Sequence, residues 1–152
     1  NFLFINCSKP TVERWERSED VIRGPIVPFL KMLQKYPEYE QEVKVPEKVW
    51  PLRIWYMYDQ DVCTLIDVNE RERKVKIKNY TDKIMFRAFG VMEEPDYNQY
   101  IEFLESRCFP ESRDKMKLIL KDLGLPFYDP IMIIEKTEGR MAEDDFWIRI
   151  ER

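Results

Sequence analysis

Apolar and polar residues alternate in three short runs between Leu52 and Asn79, and this period of two predicts strands. LRIWYMY, VCTLIDV and RKVKIKN are rich in β-branched and aromatic residues, and DQD and NERE separate them as turns, the pattern of an antiparallel meander. A fourth run, FWIRIE from Phe146, alternates in the same way. After Gly90 the apolar spacing becomes helical. Asp96 and Gln99 stand in capping-box register ahead of YIEFLESRC, because an acceptor at the cap and an amide three residues on can satisfy each other's backbone N–H groups. Pro110 opens a second predicted helix, ESRDKMKLILKDLG, closed by Gly124, and Asp129 with Pro130 opens a third, IMIIEKTEG, closed by Gly139.

The first part of the chain carries another pattern. Ser8 ahead of Pro10 predicts a capped helix from Lys9 to about Ser18, since the hydroxyl accepts from free N–H groups and proline in the first turn has none to lose. Val12 and Trp15 make a narrow apolar stripe, while Lys9, Thr11, Arg14 and Arg17 fall on the remaining surface. Residues 1–36 read as helices, and YPEYEQEVKVPEKVWP, with its prolines and charges, reads as a linker. The expected fold class is α+β. Residues 1–46 form a partial all-α domain with its linker, and residues 47–152 an antiparallel sheet with helices packed on one side.

Composition then limits the chemistry. At 152 residues, 44% hydrophobic and 36% charged, the chain suits one moderate domain or two small ones with a real core. With His 0 a zinc site lacks a principal ligand type, so no metal and no other cofactor is expected. Cys7, Cys63 and Cys108 are odd in number, far apart and set among apolar neighbours, which predicts buried reduced thiols. Cys108 has no histidine to serve as its base, and no catalytic residue is expected. Glu93, Glu94, Glu143, Asp144 and Asp145, or Glu72 and Lys74 with Asp59, Asp61 and Asp67, leave a metal-dependent nuclease as the weakest alternative. No apolar run approaches the roughly 20 residues of a membrane span, and the first residues show no basic leader pattern. The expected location is cytoplasmic, with no membrane partner. Lys74, Lys76 and Lys78 alternate with Val75 and Ile77, which predicts a strand edge guarded by lysine. Trp55, Tyr56, Tyr58, Phe86, Phe89, Phe146 and Trp147 are expected in the core.

The opening helix has the one surface with a specific chemical reading. An arginine on an exposed helix face can read guanine through paired hydrogen bonds, threonine can meet a base edge or a thymine methyl, and the helix N-terminus favours phosphate. Glu13, Glu16, Glu19 and Asp20 dilute the positive charge of this segment, so spacing alone fits an ordinary surface helix better. A resemblance changes the balance. INCSKPTVERWERSE followed by GPIVPFLKMLQKYPE resembles the second half of the lambda-repressor-like helix-turn-helix of bacterial antitoxins and xenobiotic-response-type regulators. The resemblance implies that Lys9, Pro10, Thr11 and Arg14 face bases, that Arg17 and Arg23 approach phosphate, and that Val12 and Trp15 are core. Ser18 stands where that family usually has glycine. The family's first helix and most of its second would precede Asn1.

Residues 52–152 resemble the small N-terminal subdomain of HipA-family kinases and its free-standing HipS-like form. Arg107, Pro110, Arg113, Gly124, Asp129, Gly139 and Arg140 carry that resemblance, which includes none of the kinase's catalytic segments. It implies a protein-binding module. The combination implies a DNA-binding transcriptional regulator of antitoxin type, which binds double-stranded DNA as a homodimer and contacts a toxin or kinase-like protein. The alternative is an antitoxin or interaction module without sequence-specific DNA binding.

Overall fold

The structure is a computed structural model that describes Pro10, Glu13, Arg14, Arg17, Arg23, Gly24 and residues 26–152. The chain divides into two compact units, Asn1–Glu47 and Lys48–Arg152. In the first unit Pro10, Glu13, Arg14 and Arg17 have helical backbone, whereas Ser8, Lys9, Thr11, Val12, Trp15 and Ser18 lie outside the described residues. Gly24 takes φ +102 and its carbonyl accepts from Val27 N at 3.1 Å, a left-handed step at little cost to glycine. Helix α1 (Ile26–Lys35) follows, and then α2 (Pro37–Val43).

Helix α2 corrects the linker expected from residue 36 onward. Pro37 is its first residue, and there the missing N–H costs no hydrogen bond while the fixed φ suits the helix. Tyr36 ends the preceding helix by donating its N–H to Met32 O at 2.9 Å and begins the next by accepting from Tyr39 N at 3.1 Å. Proline here starts an element rather than breaking one.

In the second unit, alternation gives strands β1 (Leu52–Tyr58), β2 (Asp61–Asn69), β3 (Lys74–Asn79) and β4 (Phe146–Glu151). They form one antiparallel sheet in the order β3-β2-β1-β4. A bulge falls between Tyr56 and Met57, opposite Val62 to Thr64. The extra residue, Cys63, lets Cys63 and Thr64 share the face that carries Leu52, Ile54, Tyr56, Ile66 and Val68. Onto that face pack α3 (Tyr97–Ser106), α4 (Met116–Leu123) and α5 (Pro130–Thr137), through Tyr100, Phe103, Leu104, Ile131, Ile133 and Ile134, with Leu120 and Leu123 at the margin. The α+β class and the one-sided helix layer are as the sequence predicts.

The helix ends show which punctuation holds. Asp96 accepts from Gln99 N at 2.9 Å and Gln99 Oε1 accepts from Asp96 N at 2.8 Å, so the predicted capping box forms. Asp96→Ala is expected to cost about 1 kcal/mol, measured as a shift in the urea midpoint with an unchanged slope. Pro110, by contrast, does not open a helix. Arg113 N donates to Pro110 O at 3.0 Å in a turn, and Lys115 takes φ +62 before α4 starts at Met116. A left-handed residue there prevents helix from running through, so the predicted helix loses its first part. Gly124, at φ +70, closes α4 as expected. Helix α5 stops one residue earlier than predicted, on Glu138 at φ +56.

Candidate functional site

The residues expected to face DNA are partly in view. Pro10, Arg14 and Arg17 stand at helical positions and are exposed, and Arg23 is exposed just ahead of Gly24; Lys9 and Thr11 lie outside the described residues. Arg14 and Arg17 are three residues apart, so they project from one face of their helix. Glu13, between them and Pro10, is half-buried. The described exposed charges of this helix are therefore both cationic.

The sheet has a second face, opposite the helices, and it is ordered by charge. Cross-strand register sets Glu151, Arg53, Asp67 and Lys76 in one row of alternating sign, then Arg149, Trp55, Leu65 and Lys78, then Trp147, Met57 and Val62. In the first row Arg53 Nε and an Nη donate to the two Asp67 oxygens at 2.6 and 2.7 Å. Arg53 is 4% exposed and Asp67 7%. The hydrogen bonds to Asp67 hold the guanidinium pKa above its ordinary value against the opposing effect of burial. The Arg149 guanidinium lies 5.0 Å from the centre of the Trp55 ring, and the Trp55 indole N–H donates to Glu151 at 3.2 Å. Trp55, Met57, Val62 and Leu65 are all buried. Of the aromatic residues expected in the core, Tyr56, Tyr58, Phe86, Phe89 and Phe146 join the helix-side cluster, and Trp55 and Trp147 belong to the other face.

Strand β3 is an edge, as its lysines predict. Lys74 Nζ reaches Glu72 at 2.6 Å, Lys76 lies 5.1 Å from the Trp50 ring centre and Lys78 4.9 Å from that of Tyr80. Each ammonium is thus held by its own neighbour. The carboxylates suggested for a nuclease are dispersed by the same topology. Asp59 and Asp61 sit at the β1–β2 turn, whereas Asp67 and Glu72 belong to the far end of β2 and the β2–β3 turn. Among the described residues no cluster of carboxylates or thiols has the proximity to hold a metal ion.

A second buried arginine ties the helix layer to the last strand. Arg107, at the end of α3, donates to Gly139 O at 3.0 and 2.8 Å, to both Asp144 oxygens at 2.7 and 3.0 Å, and to Phe146 O at 3.0 Å. Its guanidinium lies 5.9 Å from the Tyr56 ring centre. Hydrogen bonding from Arg107 holds the Asp144 carboxyl below its ordinary pKa. Asp144, read above as a possible metal ligand, is occupied by a protein cation.

The thiols are held in their protonated form. Burial pushes Cys63 up to about 11 and Cys108 up to about 12, and the Cys108 thiol donates to Pro130 O at 3.5 Å. A thiol so placed carries little thiolate at neutral pH, the form that attacks electrophiles. Both are free and buried, as predicted, and Cys7 lies outside the described residues. Among the described residues no helix is long and apolar enough to cross a membrane. Compared with protein families, curated proteins and solved structures, the chain matches none.

Proposed function

We propose that this chain is a DNA-binding transcriptional regulator of antitoxin type, with residues 1–46 reading double-stranded DNA and residues 47–152 making protein contacts. One observation carries the reading. Arg14 and Arg17 are exposed at helical positions three apart, and two cations at that spacing suit contact with a groove lined by phosphate. The second unit supports the other half of the reading through exposed apolar side chains. Ile84, Met85, Val91 and Met92 are all exposed on the segment between β3 and α3, and grouped apolar exposure is a feature of protein-binding surfaces.

The test is a binding titration of the full protein on the DNA upstream of its own gene, at several salt concentrations. Arg14→Ala is expected to cost about 1 to 3 kcal/mol and to blur preference at one base position. Arg17→Ala is expected to weaken all sequences alike and to lower the salt slope by about one unit. Circular dichroism of both variants should match the parent, because both side chains are exposed. Parent-like binding by both variants would transfer the chain to the alternative class, an interaction module without sequence-specific DNA binding.

A further inference from the structure

The two edges of the sheet differ in how they treat a neighbour. On β3 the outward charges are Lys74, Lys76 and Lys78, so two copies meeting along that edge would oppose lysine with lysine, a common device against strand addition. The other edge, β4, reads FWIRIE. It has no proline, glycine or lysine, and its two charged positions, Arg149 and Glu151, are opposite in sign. Among the described residues no strand lies beyond it.

The main chain limits how that edge can pair. Ile148 N donates to Glu138 O at 2.7 Å, on the side away from β1. By the period of two, the groups of Ile148, Ile150 and Arg152 point outward and those of Arg149 and Glu151 point to β1. The Glu138 carbonyl already takes the Ile148 N–H. Among the described residues the Ile148 carbonyl, both main-chain groups of Ile150 and the Arg152 N–H have no backbone partner and can meet a neighbour.

We propose that β4 pairs antiparallel with β4 of a second copy about a two-fold axis at Ile150, joining two sheets into one. In this register each Ile150 N–H donates to the carbonyl of the partner's Ile150, and each Arg152 N–H meets the carbonyl of the partner's Ile148. Arg149 stands across from the partner's Glu151, and Glu151 from the partner's Arg149, so both lateral pairs are attractive. A shift to an axis at Arg149 would oppose arginine with arginine, and one at Glu151 would oppose carboxylates. A shift to Ile148 would need the N–H that Glu138 holds. Self-complementarity therefore selects one register, as a two-fold interface requires. A cleft of about 360 Å³ between α5 and this edge is lined by Ile134, Ile148 and Ile150 together with Glu135, Glu138, Arg149 and Arg152, so it offers a partner strand both apolar and charged contacts. Glu151 keeps room for a second cation. It contacts Lys48 at 3.8 Å and its side chain is still 46% exposed. The pairing involves residues 134–152 alone and does not rest on the DNA-binding reading.

Sedimentation of the full chain over a range of concentrations tests it. The parent is expected to pass from monomer to dimer as concentration rises, while Arg149→Glu and Glu151→Arg are each expected to remain monomeric over the same range. An equimolar mixture of the two single variants should dimerise, because one copy then presents two carboxylates to two guanidinium groups. The variant carrying both changes should recover the parent dimer. Ile150→Cys gives a measure independent of charge. Its Cα atoms would lie about 5.5 Å apart across the axis, within disulfide range, so mild oxidation should produce an interchain crosslink. A parent that stays monomeric, single variants that dimerise like the parent, or a mixture that stays monomeric while both variants keep the parent's circular dichroism would overturn the pairing. Failure of Ile150→Cys to crosslink would overturn it even if a charge variant failed to fold.

Discussion

Asp67→Ala is expected to destabilise the second unit by about 3 to 5 kcal/mol, because it leaves the Arg53 guanidinium buried without its counter-ion. The pair is bidentate at 2.6 and 2.7 Å, with both residues almost inaccessible to water. Beside them on that face Trp55 and Leu65 are apolar and buried, and Glu151, across from Arg53, is half-exposed and already engaged by Trp55 and Lys48. A guanidinium in such surroundings cannot recover by losing its proton, so the penalty falls on the fold. The double replacement Arg53→Met with Asp67→Leu should behave otherwise. Once both charges are gone, no desolvated ion remains, and the change is expected to lie within about 1 kcal/mol of the parent or to stabilise it. Urea unfolding of the full chain, followed by tryptophan fluorescence, gives the comparison. A double variant as damaged as Asp67→Ala would show that the row of charges on this face is needed for more than mutual neutralisation.

The sheet was legible because its signal is local. Each strand declares itself by alternation within its own residues, and the turns at DQD and NERE fix which strand meets which, so β1 and β4 match the predicted runs residue for residue. The Asp96 box and Gly124 are equally local, since a cap needs only residues a few positions apart. Errors arose where one residue type has two uses. Proline starts α2 at Pro37 and sits in a turn at Pro110, and composition does not separate these uses. The Arg53–Asp67 pair had only part of a signal. Two opposite charges interrupt apolar strands on either side of the Asp59–Gln60 turn, but that turn alone sets Arg53 across from Ile66, and the extra residue Cys63 shifts its partner to Asp67. Arg107 with Asp144 had none, because their meeting depends on α3 and the loop before β4 being brought together by the whole core. The expected DNA-facing set was read from a helical pattern and a resemblance. The structure adds exposure at Pro10, Arg14, Arg17 and Arg23.

Arg107→Ala is expected to cost about 3 kcal/mol, through loss of a charged donor to buried carbonyls and a carboxylate. The side chain satisfies Gly139 O and Phe146 O as well as both Asp144 oxygens, so its removal strips partners from two points of the α5–β4 connection at once. Lysine should not rescue it. Its ammonium lacks the planar fork that serves three acceptors from one position, and Arg107→Lys is expected to recover less than half of the loss. The acid range separates the ion pair from the carbonyl contacts. Because Arg107 lowers the Asp144 pKa in the folded state, this group's stabilisation is fully present above the unfolded aspartate value of about 3.9 and disappears as pH falls through the lower folded value. Thermal unfolding of the parent and of Asp144→Asn should therefore differ at neutral pH and converge in acid, while Arg107→Ala stays below both, since Gly139 O and Phe146 O do not titrate. Gly139 supplies the local check. A Cβ built there would lie 3.2 Å from Ile148 Cδ1 and 3.4 Å from Arg107 Cβ, at a φ of +59, so Gly139→Val combines left-handed strain with a clash against the residue that its carbonyl holds. If Gly139→Val and Arg107→Ala both melt like the parent, this arginine does not join the helix layer to β4, and the connection is held by the Ile148 to Glu138 hydrogen bond and the packing of Ile134 instead.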